Sequence, residues 1–104
     1  MNEPRPNTIS YRDLPPSEPD SPLKVEWEFY RREVGRLLAE GHEGRHILIK
    51  GEEIIGIFDT HLEASTEGSR RYFGQPHLVH EIQSEERVYR AGGWWRPWQF
   101  KRTG

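Results

Sequence analysis

Residues 45–59 read RHILIKGEEIIGIFD, and this stretch decides the fold class. Two runs rich in β-branched residues flank Gly51-Glu52, and a Gly-X pair between such runs is typical of a two-residue hairpin turn. The spacing predicts an antiparallel hairpin in which Lys50 lies opposite Glu53. Opposite charges at facing positions stabilise a hairpin, so the charge pattern favours this register.

Both faces of the predicted hairpin are apolar. Strict alternation assigns one face to Ile47, Ile49, Ile54 and Phe58. It assigns the other face to Leu48, Ile55 and Ile57. A hairpin with two apolar faces has to be covered on both, by two helices or by a partner chain. We therefore take Leu48, Ile55 and Ile57 as candidate interaction residues.

Two helices are predicted around the hairpin. The first begins at Ser21-Pro22, where the Ser hydroxyl caps free N–H groups and Pro loses no bond, and ends at Gly41. Its apolar face is formed by Leu23, Trp27, Tyr30, Val34, Leu37 and Leu38. The second spans residues 61–73, because Thr60 and Glu63 match a capping box. Its apolar stripe is thin and consists of Leu62, Ser65, Ser69, Tyr72 and Phe73.

A third strand is predicted over residues 77–83, where apolar and polar residues alternate. The order helix, strand, strand, helix, strand indicates an α+β fold with a small three-stranded sheet and two helices. The third strand could pair with the first hairpin strand or lie beside the second. We expect the first hairpin strand to be central, because Ile47-Leu48-Ile49 is the most apolar stretch of the sheet.

Proline and charge are unevenly distributed along the 104 residues, and this sets the predicted boundaries. Residues 1–22 hold six of the eight prolines and are predicted to be a disordered or polyproline-like, Pro-rich arm. Residues 23–83 carry nearly all the aliphatic side chains and form a single α+β domain. Residues 84–104 form a basic, aromatic C-terminal tail.

Composition excludes several classes of protein. The absence of Cys rules out disulfides, Cys-ligated zinc and a thiol nucleophile. No apolar run approaches the roughly 20 residues that span a bilayer, and the N-terminus does not resemble a signal peptide, so we expect a cytoplasmic protein without a membrane partner. A net charge of -2 predicts no bulk attraction to nucleic acid.

Residues 44–83 carry a longer pattern. It comprises GRHILIKGEEIIG at 44–56, followed by Asp59-Thr60, Glu63-Ala64, Arg71-Tyr72-Phe73-Gly74, Pro76 and Leu78-Val79. This pattern resembles a small bacterial and archaeal family, domain of unknown function 5678, whose members pair a G-K/R-aromatic-V-x-I-K-x-G-E-V-I hairpin with a short helix and a closing strand. The resemblance implies that fold, and the family brings no assigned activity. His46 stands where the family usually has an aromatic or apolar residue.

The five histidines are the candidate metal ligands of the sequence. Residues 42–46 spell the H-E-x-x-H string of zinc peptidases, in which two His on one helix bind the metal. Gly41, Gly44 and the strand that follows argue against that helix. His77 and His80 form an H-x-x-H pair, but a spacing of three on a strand places them on opposite faces. His61 completes the set of five.

No nucleophile elbow, phosphate-binding glycine loop or paired carboxylate accompanies these histidines. We therefore predict no enzymatic activity and assign no catalytic, metal-binding or cofactor-binding residues. A small His-metal hydrolase is the third function considered.

The tail interleaves aromatic and basic side chains: Trp94, Trp95, Arg96, Trp98, Lys101 and Arg102. Such a pattern suits single-stranded nucleic acid, because bases stack on aromatic rings and phosphates pair with cations. The same residues could fold back on the sheet, pack on a partner chain or form a flexible tail. The leading hypothesis is a non-enzymatic protein-interaction module that binds a partner protein or self-associates. The alternative is a nucleic-acid-binding accessory protein that uses the tail.

Overall fold

The computed structural model describes residues 8–87, 90, 91, 94 and 95. The elements in chain order are β1 (Thr8–Ser10), a 3-10 turn (Tyr11–Asp13), α1 (Lys24–Ala39), β2 (His46–Lys50), β3 (Glu53–Phe58), α2 (His61–Tyr72), β4 (Leu78–Glu81), β5 (Glu85–Arg87), β6 (Arg90–Ala91) and β7 (Trp94–Trp95). Three of the strands form an antiparallel sheet in the order β3-β2-β4. This confirms the α+β class and places the first hairpin strand at the centre, as expected. Two short antiparallel pairs, β1 with β5 and β6 with β7, accompany the sheet.

The hairpin forms around Gly51-Glu52, with Lys50 opposite Glu53 as predicted. Gly51 has a φ of 63°, which glycine adopts without steric cost. Glu26 of α1 supports the turn, since its Oε2 accepts a hydrogen bond from the Gly51 N–H at 2.7 Å. The first helix and the hairpin are therefore joined by a polar contact beside their apolar one.

A β-bulge in the hairpin corrects the predicted faces. Ile49 lies opposite Ile54, whereas Leu48 lies opposite Gly56, so Ile55 is an extra residue in β3. One extra residue moves every later side chain to the other face. Ile57 therefore lies opposite Ile47, and the prediction that grouped it with Leu48 was wrong.

Phe58 changes face for the same reason and pairs with His46 instead of joining Ile47. Its ring folds back over Gly56, where an added Cβ would lie 2.8 Å from Phe58 Cζ. The aromatic ring thus covers the glycine of an edge strand and fills the space that its missing side chain leaves.

One face of the sheet packs on α1 and holds the main core. Its buried members are Leu14, Trp27, Tyr30, Val34, Leu37, Ile47, Ile49, Leu78 and Ile82. The helix begins at Lys24, later than predicted, and its N-cap residue Leu23 has no side-chain cap, so the predicted capping by Ser21 was wrong; the Ser21 hydroxyl accepts from the Leu23 N–H instead. It ends as predicted at Gly41, whose φ of 90° lets the Gly41 and His42 N–H groups bond back to the last turn.

The opposite face of the sheet packs on α2. The capping box of Thr60 and Glu63 is present, which confirms the predicted start of this helix. Its buried side is formed by Ala64 and Gly68, and the predicted stripe was wrong: Leu62 is 74% exposed. Small residues let the helix approach the sheet so closely that a Cβ on Gly68 would lie 3.1 Å from Leu48 Cδ1.

Residues 8–22 differ from the predicted disordered arm. β1 pairs with β5, and Leu14 is 4% exposed within the core. The Trp27 indole N–H donates to the Pro15 carbonyl oxygen at 2.9 Å, which fixes the proline-rich chain against α1. The packed domain therefore extends beyond residues 23–83 on both sides. Residues 1–7 lie outside the described residues.

Across the described part of the chain, neither helix combines the length and the apolar character that a membrane crossing requires.

Candidate functional site

The two faces of the sheet are covered by the chain's own helices, and this changes the predicted interaction set. Leu48 has no exposed surface because α2 covers it. Ile55 and Ile57 remain half-buried on β3. Of the three candidate hairpin residues, only the two on β3 keep surface that a partner could contact.

The outer edge of β3 is one of the two open edges of the sheet. The strand order β3-β2-β4 places it at one end, and no other strand pairs with it in the part of the chain that the structure describes. Residues 54–58 carry neither charge nor proline, and all five are half-buried. An edge segment without charge presents backbone donors and acceptors that another chain can pair with.

Ion pairs mark both ends of this edge. At the turn, Arg32 Nη2 lies 3.4 Å from Glu52 Oε2. At the other end, Arg45 donates to Asp59 Oδ1 through Nη2 at 2.9 Å. Glu52 and Asp59 are thus partly neutralised, and residues 54–58 carry no charge, although Glu53 adds one at the turn end.

The tail residues lie largely beyond the described region. Trp94 and Trp95 form β7, whose backbone pairs with Arg90 and Ala91. Arg96, Trp98, Lys101 and Arg102 fall outside the described residues. Both the folding-back of the tail and its binding to nucleic acid remain predictions.

The H-E-x-x-H string does not lie on a helix. His42 follows the end of α1, and His46 opens β2. Glu43 instead accepts hydrogen bonds from the Ser84 N–H and hydroxyl, at 2.9 and 2.7 Å. These bonds hold the pKa of Glu43 below its ordinary value, which suits a structural anchor and not a general base.

The other histidines are also dispersed. His46 and His61 lie 5.9 Å apart between ring centroids, while His77 contacts the α2 side of the sheet and His80 the α1 side. Opposite faces for His77 and His80 agree with the spacing of three. Among the described residues, no group of three or more His, Asp or Glu side chains is arranged to hold a metal ion.

A buried polar cluster was missed at the sequence level. His80 Nε2 lies 2.8 Å from Glu86 Oε2, and the two side chains are 6% and 1% exposed. The rings of Trp27 and Tyr30 pack against the imidazole at centroid distances of 5.4 and 4.7 Å. Glu86 stands in the charged run 85–87, which carries no apolar pattern that could have indicated burial.

Tyr30 completes this cluster. Its hydroxyl donates to the Glu81 carbonyl oxygen at 3.3 Å, and its side chain is fully buried. Burial raises the pKa of the Tyr30 phenol far above its ordinary value, and the charge of Glu86 adds to that shift. The cluster has no exposed reactive group, and its arrangement suits a structural role in joining α1, β4 and β5.

No protein-family model matches this chain, and neither a curated protein nor a solved structure matches it. The resemblance of residues 44–83 to domain-of-unknown-function family 5678 therefore stays a prediction from the sequence.

Proposed function

We propose that this protein is a non-enzymatic protein-interaction module whose β3 edge receives an extended strand from a partner protein. The observation that carries the proposal is the unpaired outer side of β3, with five consecutive residues that carry no charge and no proline. Strand addition at such an edge obtains affinity from main-chain hydrogen bonds and specificity from alternate side chains.

The half-buried side chains of β3 supply the apolar part of the contact. Ile54 and Ile57 pack at the margin of the α1 core, and Phe58 lies on the other face. An added strand would cover the exposed portions of these side chains on both faces. Burial of apolar surface contributes about 25 cal/mol per Å², so the gain grows with the length of the paired segment.

The bulge at Ile55 restricts which strand can pair. A bulge increases the local twist and interrupts the regular ladder, which is one way in which proteins limit non-specific edge pairing. A partner must therefore match the twisted segment around Gly56. This favours a specific peptide over indiscriminate aggregation.

The other edge is a poorer acceptor. Each edge strand carries one exposed glutamate at an end, Glu53 in β3 and Glu81 in β4, but β3 has five further residues without Asp, Glu, Lys or Arg and β4 has three. A charged residue on an edge strand opposes pairing with a second chain. The partner strand is therefore expected at the β3 edge and not at the β4 edge.

The experiment compares Ile55→Lys with Val25→Lys. Both variants add one charge at a residue with exposed apolar surface, but Val25 lies on α1 and not on the sheet edge. Twelve-residue peptides are selected on the wild-type chain from a phage-displayed library, and their affinities for all three proteins are measured by calorimetry. We expect Ile55→Lys to weaken the selected peptides at least tenfold and Val25→Lys to leave them unchanged.

Amide exchange of β3 in the presence of a selected peptide provides the structural readout. Slower exchange confined to β3 supports strand addition, and a dimer that Ile55→Lys dissociates supports it with a second copy as the partner. Equal peptide affinities for both variants, or protection elsewhere, would overturn the proposal. Salt-sensitive binding of a single-stranded oligonucleotide by a chain whose β3 exchange is unaffected would favour the tail hypothesis instead.

A further inference from the structure

A small cationic groove lies between the 3-10 turn and α1. Its volume is about 250 Å³. The lining residues are Tyr11, Arg12, Leu14, Glu28, Arg31 and Arg32. Three guanidinium groups around one small groove form a site for an anion, provided that they are not already neutralised by acidic neighbours.

Glu28 is the one carboxylate among these lining residues, and its two oxygens are occupied. Oε1 accepts from Arg31 Nη1, while Oε2 accepts from the Ser17 N–H at 2.7 Å. Burial alone would raise the pKa of Glu28, but these hydrogen bonds hold it below its ordinary value. One carboxylate thus offsets one arginine, and two positive charges remain.

The arginines keep donors that no acidic group occupies. The Arg12 guanidinium lies over the Tyr11 ring at 4.9 Å, and among the described residues it has no acidic partner. Arg31 uses Nε on the Leu14 carbonyl oxygen at 3.1 Å and Nη1 on Glu28, which leaves Nη2. Arg32 reaches Glu52 only at 3.4 Å, with both side chains more than half exposed, and such a pair is easily displaced.

We propose that this groove binds a phosphate monoester. Three lining arginines against one lining glutamate leave an excess of two positive charges, which matches a dianion once the exposed Arg32–Glu52 pair opens, and the planar guanidinium forks suit phosphate oxygens. Sites for drug-sized ligands have volumes of roughly 300–1,000 Å³, so a groove of about 250 Å³ accepts a phosphate and a short attached group. Tyr11 and Leu14 provide the apolar wall against which that group packs.

The test uses the full chain and phenyl phosphate as the first probe, with phenol as the uncharged comparison. Binding is followed by calorimetry at low and high salt for the wild type, the Arg12→Gln/Arg32→Gln double variant and Arg36→Gln. Arg36 is the matched control, because it lies on α1, pairs with Glu33 and Glu40, and does not line the groove. Arg12 and Arg32 are exposed, and circular dichroism verifies that the variants fold.

We expect phenyl phosphate to bind, phenol not to bind, and the double variant to weaken binding about tenfold or more while Arg36→Gln has no effect. Binding should also weaken as salt is raised. If the wild type shows no binding at about 10 mM phenyl phosphate, a concentration at which even a weak site is partly occupied, the proposal is overturned. Equal losses in the double variant and in Arg36→Gln would overturn it as well.

Two further probes identify the source of the phosphate. A phosphoserine tripeptide represents a phosphorylated partner protein, and adenosine monophosphate represents a free nucleotide. Tighter binding of the tripeptide supports the site as a reader of protein phosphorylation, and tighter binding of the nucleotide supports it as a nucleotide site. The test is independent of the β3 edge, since Ile55→Lys should leave phenyl phosphate binding unchanged.

Discussion

At the scale of single residues, His80 and Glu86 are the most demanding feature of the interior. Both side chains are buried, and their contact at 2.8 Å satisfies only one oxygen of the carboxylate. Glu86 Oε1 has no hydrogen-bond partner in the described structure. Removing polar groups from water costs free energy that a single contact repays only in part, so this pair adds little net stability but is sensitive to the loss of either member.

The pair predicts non-additive mutational effects. Glu86→Leu alone, or His80→Leu alone, should lower the free energy of unfolding by about 3–5 kcal/mol, because each leaves a buried polar partner unsatisfied. The double variant should lose clearly less than the sum of the two, since it removes both unsatisfied groups. Urea unfolding followed by circular dichroism measures all four proteins. Additive losses would show that the two side chains do not act as a pair.

At the scale of secondary-structure elements, local signals could be predicted from the sequence and tertiary ones could not. The turn at Gly51, the capping box at Thr60 and the helix end at Gly41 each depend on neighbouring residues, and all three are present. The bulge at Ile55 is accompanied by the Phe58 ring lying over Gly56, a contact that no alternation pattern contains. The set of candidate interaction residues on the hairpin also differs from the prediction, because the bulge and α2 together determine which hairpin residues keep exposed surface.

The buried side of α2 was missed for a related reason. Periodicity identifies a buried face by its large apolar residues, but Ala64 and Gly68 bury a face by being small. The burial of Glu86 was also not predicted. It depends on β1 pairing with β5, which joins residues as distant in sequence as Thr8 and Glu85. Contacts of that separation leave no local trace in the sequence.

The close approach of α2 to the sheet predicts that valine has contrasting effects on the free energy of unfolding at the neighbouring positions Gly68 and Ser69. A Cβ on Gly68 would lie 2.7 Å from the His77 ring, so Gly68→Val should lower the free energy of unfolding by about 1–3 kcal/mol through overpacking. Ser69→Val on the exposed side of the helix should change it by no more than about 0.5 kcal/mol. Thermal unfolding compares the two. Similar values would mean that α2 is not held tightly against Leu48 and His77.

At the scale of the whole molecule, the buried Tyr30 phenol predicts how stability depends on alkaline pH. Its pKa in the folded state lies above the value of 10.0 that it has when exposed, so the native state keeps a proton that the unfolded chain releases. Below pH 10 this group leaves the free energy of unfolding unchanged. Above pH 10 it lowers that free energy by up to about 1.4 kcal/mol per pH unit.

Tyr30→Phe should remove this part of the alkaline slope, whereas Tyr72→Phe should retain it. The slope is measured in each protein by urea unfolding between about pH 9 and 11. This range brackets the ordinary tyrosine pKa of about 10. Tyr30→Phe also loses the bond to the Glu81 carbonyl, so its stability is lower at every pH and only the slope is diagnostic. An unchanged slope in Tyr30→Phe would contradict the buried, protonated phenol.

The N-terminal segment decides where the folded unit begins. Leu14 lies in the core at 4% exposure, and the same segment provides β1, the Tyr11 ring beside Gly35 and the Pro15 carbonyl that binds Trp27. Leu14→Ala should therefore lower the free energy of unfolding by about 2–5 kcal/mol, the usual cost of a buried leucine. Leu62→Ala is the matched control, because Leu62 is 74% exposed and its truncation should cost no more than about 0.5 kcal/mol. Equal, small effects at both positions, measured by urea unfolding, would mean that residues 8–22 add nothing to the fold and that the domain begins at α1.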